Sequence, residues 1–172
     1  MMIVNTACEF SISDIFGNGL LLLSGDPGDD ATWDTLVNGP RKVRRVVRCL
    51  REAKHTTDLT LCHHVPIDDI PLVPIHNYFA AATDFMEDSI NDGHATLVHC
   101  AAGVSRSVSI VLAYLVIKRN MSLADSIAMV RAARPIMNPN LGFLRQLITR
   151  PRWRAVLCRR RPLSLMSTTW RR

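Results

Sequence analysis

In the second half of the chain, the apolar and polar positions fall into blocks that read in turn as strand, loop and helix. Ala95 to Val98 is an apolar run of strand length, and Cys100 to Ser105 follows it as a loop of small residues. Residues 107–117 are apolar nearly all round, which predicts a helix buried on most sides. Lys118 and Arg119 close it with charge that suits the negative end of a helix dipole. Upstream, Pro74 takes a first-turn position, and Ile75, Tyr78, Phe79, Ala82, Met86 and Ile90 recur at helical spacing until Gly93. Downstream, Ser122 and Asp125 form a start resembling a capping box, Leu123, Ile127 and Val130 share one face, and Pro135 stops the helix. A last helix is expected from Pro139 to Thr149, with Phe143, Leu144, Leu147 and Ile148 as its core-facing stripe.

The first half is harder to read. Residues 1–40 are expected to be an irregular N-terminal segment belonging to the domain, with Gly, Pro and Asp clustered at 24–40 as a loop. Between Arg41 and Lys54, Val43, Val46, Val47 and Leu50 have helical spacing, but Val-Val-Arg-Cys-Leu fits a strand equally well. Leu59 to Pro66 reads as a strand.

Length and composition fit one domain: 172 residues, 48% hydrophobic and 21% charged. Charge divides the chain. Residues 145–172 hold nine arginines and no acid, while the first 144 residues hold twelve basic against fifteen acidic side chains. The net charge of +6 therefore belongs to a separable tail at 150–172, and a uniformly nucleic-acid-binding domain is disfavoured. Two readings of the tail stand: a solvated terminus, or a segment that docks an acidic surface with Trp153 as an anchor. The five cysteines at 8, 49, 62, 100 and 158 are odd in number and form no Cys-x-x-Cys pair, which fits a reducing compartment, the cytoplasm and also the nucleus. Leu20 to Leu23 is too short for a membrane span. His63 and His64 have no second ligand at metal spacing, so no metal is expected, and Asp29-Asp30 reads as a solvated turn.

The segment His99-Cys100-Ala101-Ala102-Gly103-Val104-Ser105-Arg106-Ser107 holds the chemistry. It sets a cysteine and an arginine at the two ends of a seven-residue loop between a strand and a helix. Backbone N–H groups of small residues, the positive end of the following helix and the planar Arg106 fork together suit a phosphate dianion. The same field lowers a thiol pKa and makes Cys100 a nucleophile candidate.

These residues, with Ala113-Tyr114-Leu115 behind them, resemble the dual-specificity phosphatases, particularly the small atypical ones. The likeness takes in Val65-Pro66-Ile67-Asp68-Asp69-Ile70-Pro71 and Arg134-Pro135 through Asn140-Leu141-Gly142-Phe143 to Gln146-Leu147, and so covers roughly residues 59–149. It implies a three-layer α/β domain at 41–149, with a central mixed, mostly parallel sheet flanked by helices. It also implies a cofactor-free protein phosphatase that forms a phosphocysteine and takes a phosphoprotein as substrate, with a kinase as a candidate partner. By the same resemblance Cys100 is the nucleophile, Arg106 the phosphate clamp and Asp69, in preference to neighbouring Asp68, the general acid. Ser107 supports the leaving thiolate, and Ala101, Ala102, Gly103, Val104 and Ser105 line the phosphate site. His99 braces the loop through hydrogen bonds and Asn140 supports it. The uncharged loop interior favours phosphoprotein over a phosphoinositide or RNA 5′-phosphate, and a phosphate-binding scaffold is the rival from another class.

Overall fold

The computed structural model describes residues 11–52 and 61–149. Ten elements follow in chain order: β1 (Ile12–Asp14), β2 (Leu21–Ser24), α1 (Asp30–Asn38), β3 (Val43–Arg48), β4 (Leu61–His64), α2 (His76–Asn91), β5 (Ala95–His99), α3 (Arg106–Ile117), α4 (Leu123–Ala133) and α5 (Leu141–Thr149). The five strands form one sheet in the order β1-β2-β5-β3-β4, parallel except where β1 meets β2. β5, which leads into the cysteine loop, is therefore the central strand.

Alternation along each strand separates two apolar layers, because neighbouring side chains point to opposite faces. Leu22, Val46 and Leu97 pack with Trp33 and Leu36 of α1 on one face. Leu21, Leu23, Val47 and Val98 pack under α2 to α5 on the other. α3 lies in the middle of that second layer, and its residues from Ser107 to Leu115 are all fully buried, which explains why its sequence shows no polar face. This is the three-layer α/β arrangement read from the resemblance.

Three sequence expectations need correction. Residues 11–40 are not irregular, since they contain two strands and a helix, and the 24–40 loop is interrupted by α1. The Asp29 carboxylate caps that helix by accepting from the Thr32 N–H at 2.8 Å, and Trp33, Leu36 and Val37 form its buried stripe. Asp29-Asp30 is thus a helix start instead of a solvated turn. The ambiguous Arg41 stretch resolves as β3, because pairing on both sides with β4 and β5 satisfies its backbone. In α5, Phe143 and Leu147 are buried as expected, but Ile148 is 66% exposed. The tail at 150–172 and the stretch 53–60 lie outside the described residues. Among the described residues no helix is long and apolar enough to cross a membrane.

Candidate active site

The loop from Cys100 to Ser105 leaves the carboxyl end of β5 and turns into the first turn of α3, which begins at Arg106. Gly103 makes this turn possible. Its φ is +65°, and a Cβ there would strike the Ser24 backbone of the neighbouring strand. The bend aims the Gly103 N–H at Cys100 Sγ at 3.2 Å, and the Ser107 hydroxyl donates to the same sulfur at 3.2 Å from within α3. Cys100 is 1% exposed. Burial alone pushes its thiol pKa up. The Ser107 hydroxyl, the backbone N–H groups of Ser107 and Gly103 and the nearby Arg106 charge outweigh burial, and the pKa falls below the ordinary thiol value.

Arg106 reaches across the loop, where its Nη1 donates to the Ile67 carbonyl at 3.4 Å. Its buried Nε has no hydrogen-bond partner among the described residues, and it lies 4.0 Å from Asp69 Oδ2. Asp69 is held from two sides: Ser105 Oγ donates to its Oδ1 at 2.6 Å and Asn140 Nδ2 donates to the same oxygen at 2.7 Å. Neighbouring Asp68 instead pairs with Arg51 at 2.9 Å and faces away. Asn140 has a second task, since its Oδ1 accepts from the Phe143 N–H and caps α5. The helix that follows can approach the Asp69 segment because Gly142 has no side chain, as a Cβ would collide with the Pro71 backbone.

Cys100, Arg106, Asp69, Ser107 and Asn140 therefore converge on one loop, with Ala101, Ala102, Gly103, Val104 and Ser105 forming its turn. A thiolate, a guanidinium and a carboxyl group at this spacing can hold a phosphate, attack it and deliver a proton.

The His99 ring packs edge-on against Trp33, with centroids 5.5 Å apart. Burial, reinforced by Arg48 and opposed by Asp26 and by a hydrogen bond with the Cys100 backbone, lowers its pKa to about 4, so it is a neutral residue packed under the loop.

Sequence reasoning missed two supports. Ser105, expected to line the phosphate site, also holds Asp69 through its hydroxyl. Arg134, 3% exposed, donates from Nε to the Gly103 carbonyl at 2.6 Å and from Nη2 to the Ala102 carbonyl at 3.2 Å. Its Nη1 donates to the Ser11 carbonyl at 3.2 Å, so one side chain ties the loop to the strand β1 region. Arg134 was in view as part of the Arg134-Pro135 likeness, but nothing in its spacing pointed to partners at residues 11, 102 and 103.

Residues 38–152 match the family model "Dual specificity phosphatase, catalytic domain". Dual specificity protein phosphatase 14 of Mus musculus is 49% identical over 84 residues, which are 49% of this chain and 42% of that protein. The Homo sapiens protein of the same name is 46% identical over the same shares. These alignments span less than half the length of the relatives they match. Among solved structures, DUSP15 superposes with a TM-score of 0.74 at 28% identity, over 88% of this chain and 97% of that one.

Proposed function

Because this chain belongs to the dual-specificity phosphatase family, we propose that it hydrolyses phosphotyrosine and phosphoserine or phosphothreonine in proteins through a phosphocysteine on Cys100. The observation behind this reading is the Cys100 sulfur, held by the Ser107 hydroxyl and the Gly103 N–H within a loop that also presents Arg106 and Asp69.

In the first step the Cys100 thiolate attacks phosphorus and the P–O bond to the side chain breaks. Asp69 gives its proton to the departing oxygen, while Arg106 and the loop N–H groups hold the transferring oxygens. In the second, Asp69 as carboxylate takes a proton from water, the water oxygen bonds to phosphorus, and the P–S bond breaks to return the thiolate. The Ser107 hydroxyl stabilises the leaving sulfur. Ser105 and Asn140 position Asp69, and Arg134 fixes the loop carbonyls so that their N–H groups face inward. A reducing compartment, cytoplasm or nucleus, fits Cys49, Cys62 and Cys100, which are all free thiols. A kinase as partner and docking through the basic tail remain parts of the same proposal.

Acid-quench trapping of labelled phosphate on Cys100 in a single turnover tests the nucleophile. Asp69→Asn should slow an alkyl phosphoester such as phosphothreonine by roughly 100-fold or more while sparing an activated aryl phosphate. If Asp68→Asn shows that selectivity instead, the acid is misassigned, and if no phosphocysteine forms, the mechanism is wrong.

A further inference from the structure

At the end of the sheet opposite the cysteine loop, an open cleft of about 700 Å³ is lined by Arg41, Lys42, Arg44 and His94 together with Leu20 and Pro40. Among the described residues its lining contains no acid, and its one ring is the His94 imidazole. Arg41, Lys42 and His94 are exposed, and neither Arg41 nor Lys42 meets a carboxylate among the described residues. The acids near this end are engaged elsewhere: Asp92 pairs with Arg45, and Asp34 accepts from Asn38. Lys42 also holds φ at +46°, a left-handed backbone that strains a non-glycine residue and marks the site as shaped against local preference.

This cleft is not isolated. A second hollow of about 290 Å³ shares Thr35 and Arg41 with it, and a third of about 330 Å³ shares Thr32 with the second. The third reaches Ala101 and Ala102 of the cysteine loop. Thr32 and Thr35 stand one turn apart on α1, so the three hollows follow that helix from one end of the sheet to the other. Exposed charge changes sign along the way: Asp26 and Asp29 line the part nearest the loop, where the buried Arg134 is turned to the Ala102 and Gly103 carbonyls, and Arg41, Lys42 and Arg44 line the far part.

We propose that this groove docks an extended segment of the phosphoprotein substrate, with an acidic cluster of the substrate seated on Arg41, Lys42, Arg44 and His94. The proposal rests on the phosphatase reading and names a class of substrate for it. A polypeptide is favoured over nucleic acid because Asp26 and Asp29 line the part nearest the loop and would repel a continuous phosphate backbone, and over a lipid surface because the site is a recessed groove. The five residues of β5 separate the two ends by about 16 Å, and an extended chain covers about 3.3 Å per residue. The acidic cluster therefore belongs about five to eight residues from the phosphorylated one. Asp26 and Asp29 repel acid placed closer.

The test uses phosphotyrosyl peptides of Gly and Ser that bear a short glutamate cluster at a near, middle or far position on either side. For one side, the middle position should lower KM roughly tenfold with kcat unchanged, the near position should give no gain, and added salt should erode the effect. Arg41→Glu with Lys42→Glu should abolish the gain and leave turnover of a small aryl phosphate unchanged. A KM that ignores cluster position, or a gain that survives this double variant, overturns the proposal. If the aryl phosphate itself is not turned over, the phosphatase reading is what fails. The groove is then read by fluorescence anisotropy of the labelled unphosphorylated middle-cluster peptide. Loss of binding in the double variant supports docking, and absence of binding to the unaltered protein overturns it. Tighter binding of a single-stranded RNA or of phosphatidylserine vesicles through Arg41 and Lys42 would also overturn it.

Discussion

Two cysteines end adjacent parallel strands in this protein, equally buried and opposite in chemistry. Cys49 follows β3 and Cys100 follows β5, and the Cys49 N–H donates to the His99 carbonyl at 2.8 Å, so the two strand ends are stitched together. Both side chains are almost fully withdrawn from water. Burial pushes the Cys49 thiol well up, the neighbouring Cys100 adds to the rise, and Arg106 offsets only part of it. At Cys100 the same burial penalty is overcome by the Ser107 hydroxyl, the N–H groups of Ser107 and Gly103, and Arg106. Enclosure therefore does not make a reactive thiol. What differs is the chain that follows: β3 runs on to exposed Arg51, whereas β5 runs into a loop whose donors are folded back onto sulfur.

The largest expected effect breaks the comparison outright. Cys100→Ser should reduce turnover of an aryl phosphate at least about a thousandfold, because a hydroxyl is not ionised by these donors. Cys49→Ser should leave turnover within a few-fold of the unaltered enzyme and register mainly as lost stability. Steady-state kinetics beside thermal denaturation separates the two, and comparable kinetic losses would show that Cys49 takes part in the chemistry.

Ser107→Ala sharpens the comparison by making Cys100 more like Cys49. Without the hydroxyl the thiol pKa rises, so the acidic limb of kcat/KM against pH should move to higher pH, and turnover near neutrality should fall about tenfold. An unmoved limb would mean that the loop N–H groups and Arg106 suffice.

The smallest effect concerns the residue between them. His99 has a folded pKa of about 4 against an ordinary 6.5, so the unfolded chain binds the extra proton in that window. Stability should be full above about pH 6.5 and decline as pH falls toward 4, by at most about 3 kcal/mol. Denaturant melts of the protein and of His99→Phe, compared across that range, check this. An identical decline in both would assign it to other groups.

How much of this could be read in the sequence follows from how local each signal is. The cysteine loop and α3 are legible because nucleophile, clamp and glycine lie within seven residues and the helix behind them is uniformly apolar. Helix α1 was hidden because only Trp33, Leu36 and Val37 mark it, between Pro27-Gly28 and Gly39-Pro40, whose turn chemistry dominates the window. The supports of the site were illegible for a different reason. Ser105 and Asp69 are 36 residues apart, and Arg134 and Ser11 are 123 apart, and nothing periodic links such partners. The packing of His99 was illegible for the same reason, because Trp33, against which its ring lies, is far away in the sequence.

The reach of Arg134 fixes when, during biosynthesis, this loop can take shape. The cysteine is translated thirty-four residues before the arginine that holds the Ala102 and Gly103 carbonyls, and Ser11, the other end of the brace, is translated long before either. A nascent chain that has just exposed Cys100 therefore has the thiol but not the fixed loop around it. The Arg134 brace joins the Asp26 and Gly103 bonds of the loop only when the end of α4 emerges and closes back onto the first strand. Ribosome-stalled chains ending on either side of that point should differ accordingly, the shorter presenting an unshielded cysteine to any electrophile and the longer a protected, competent one.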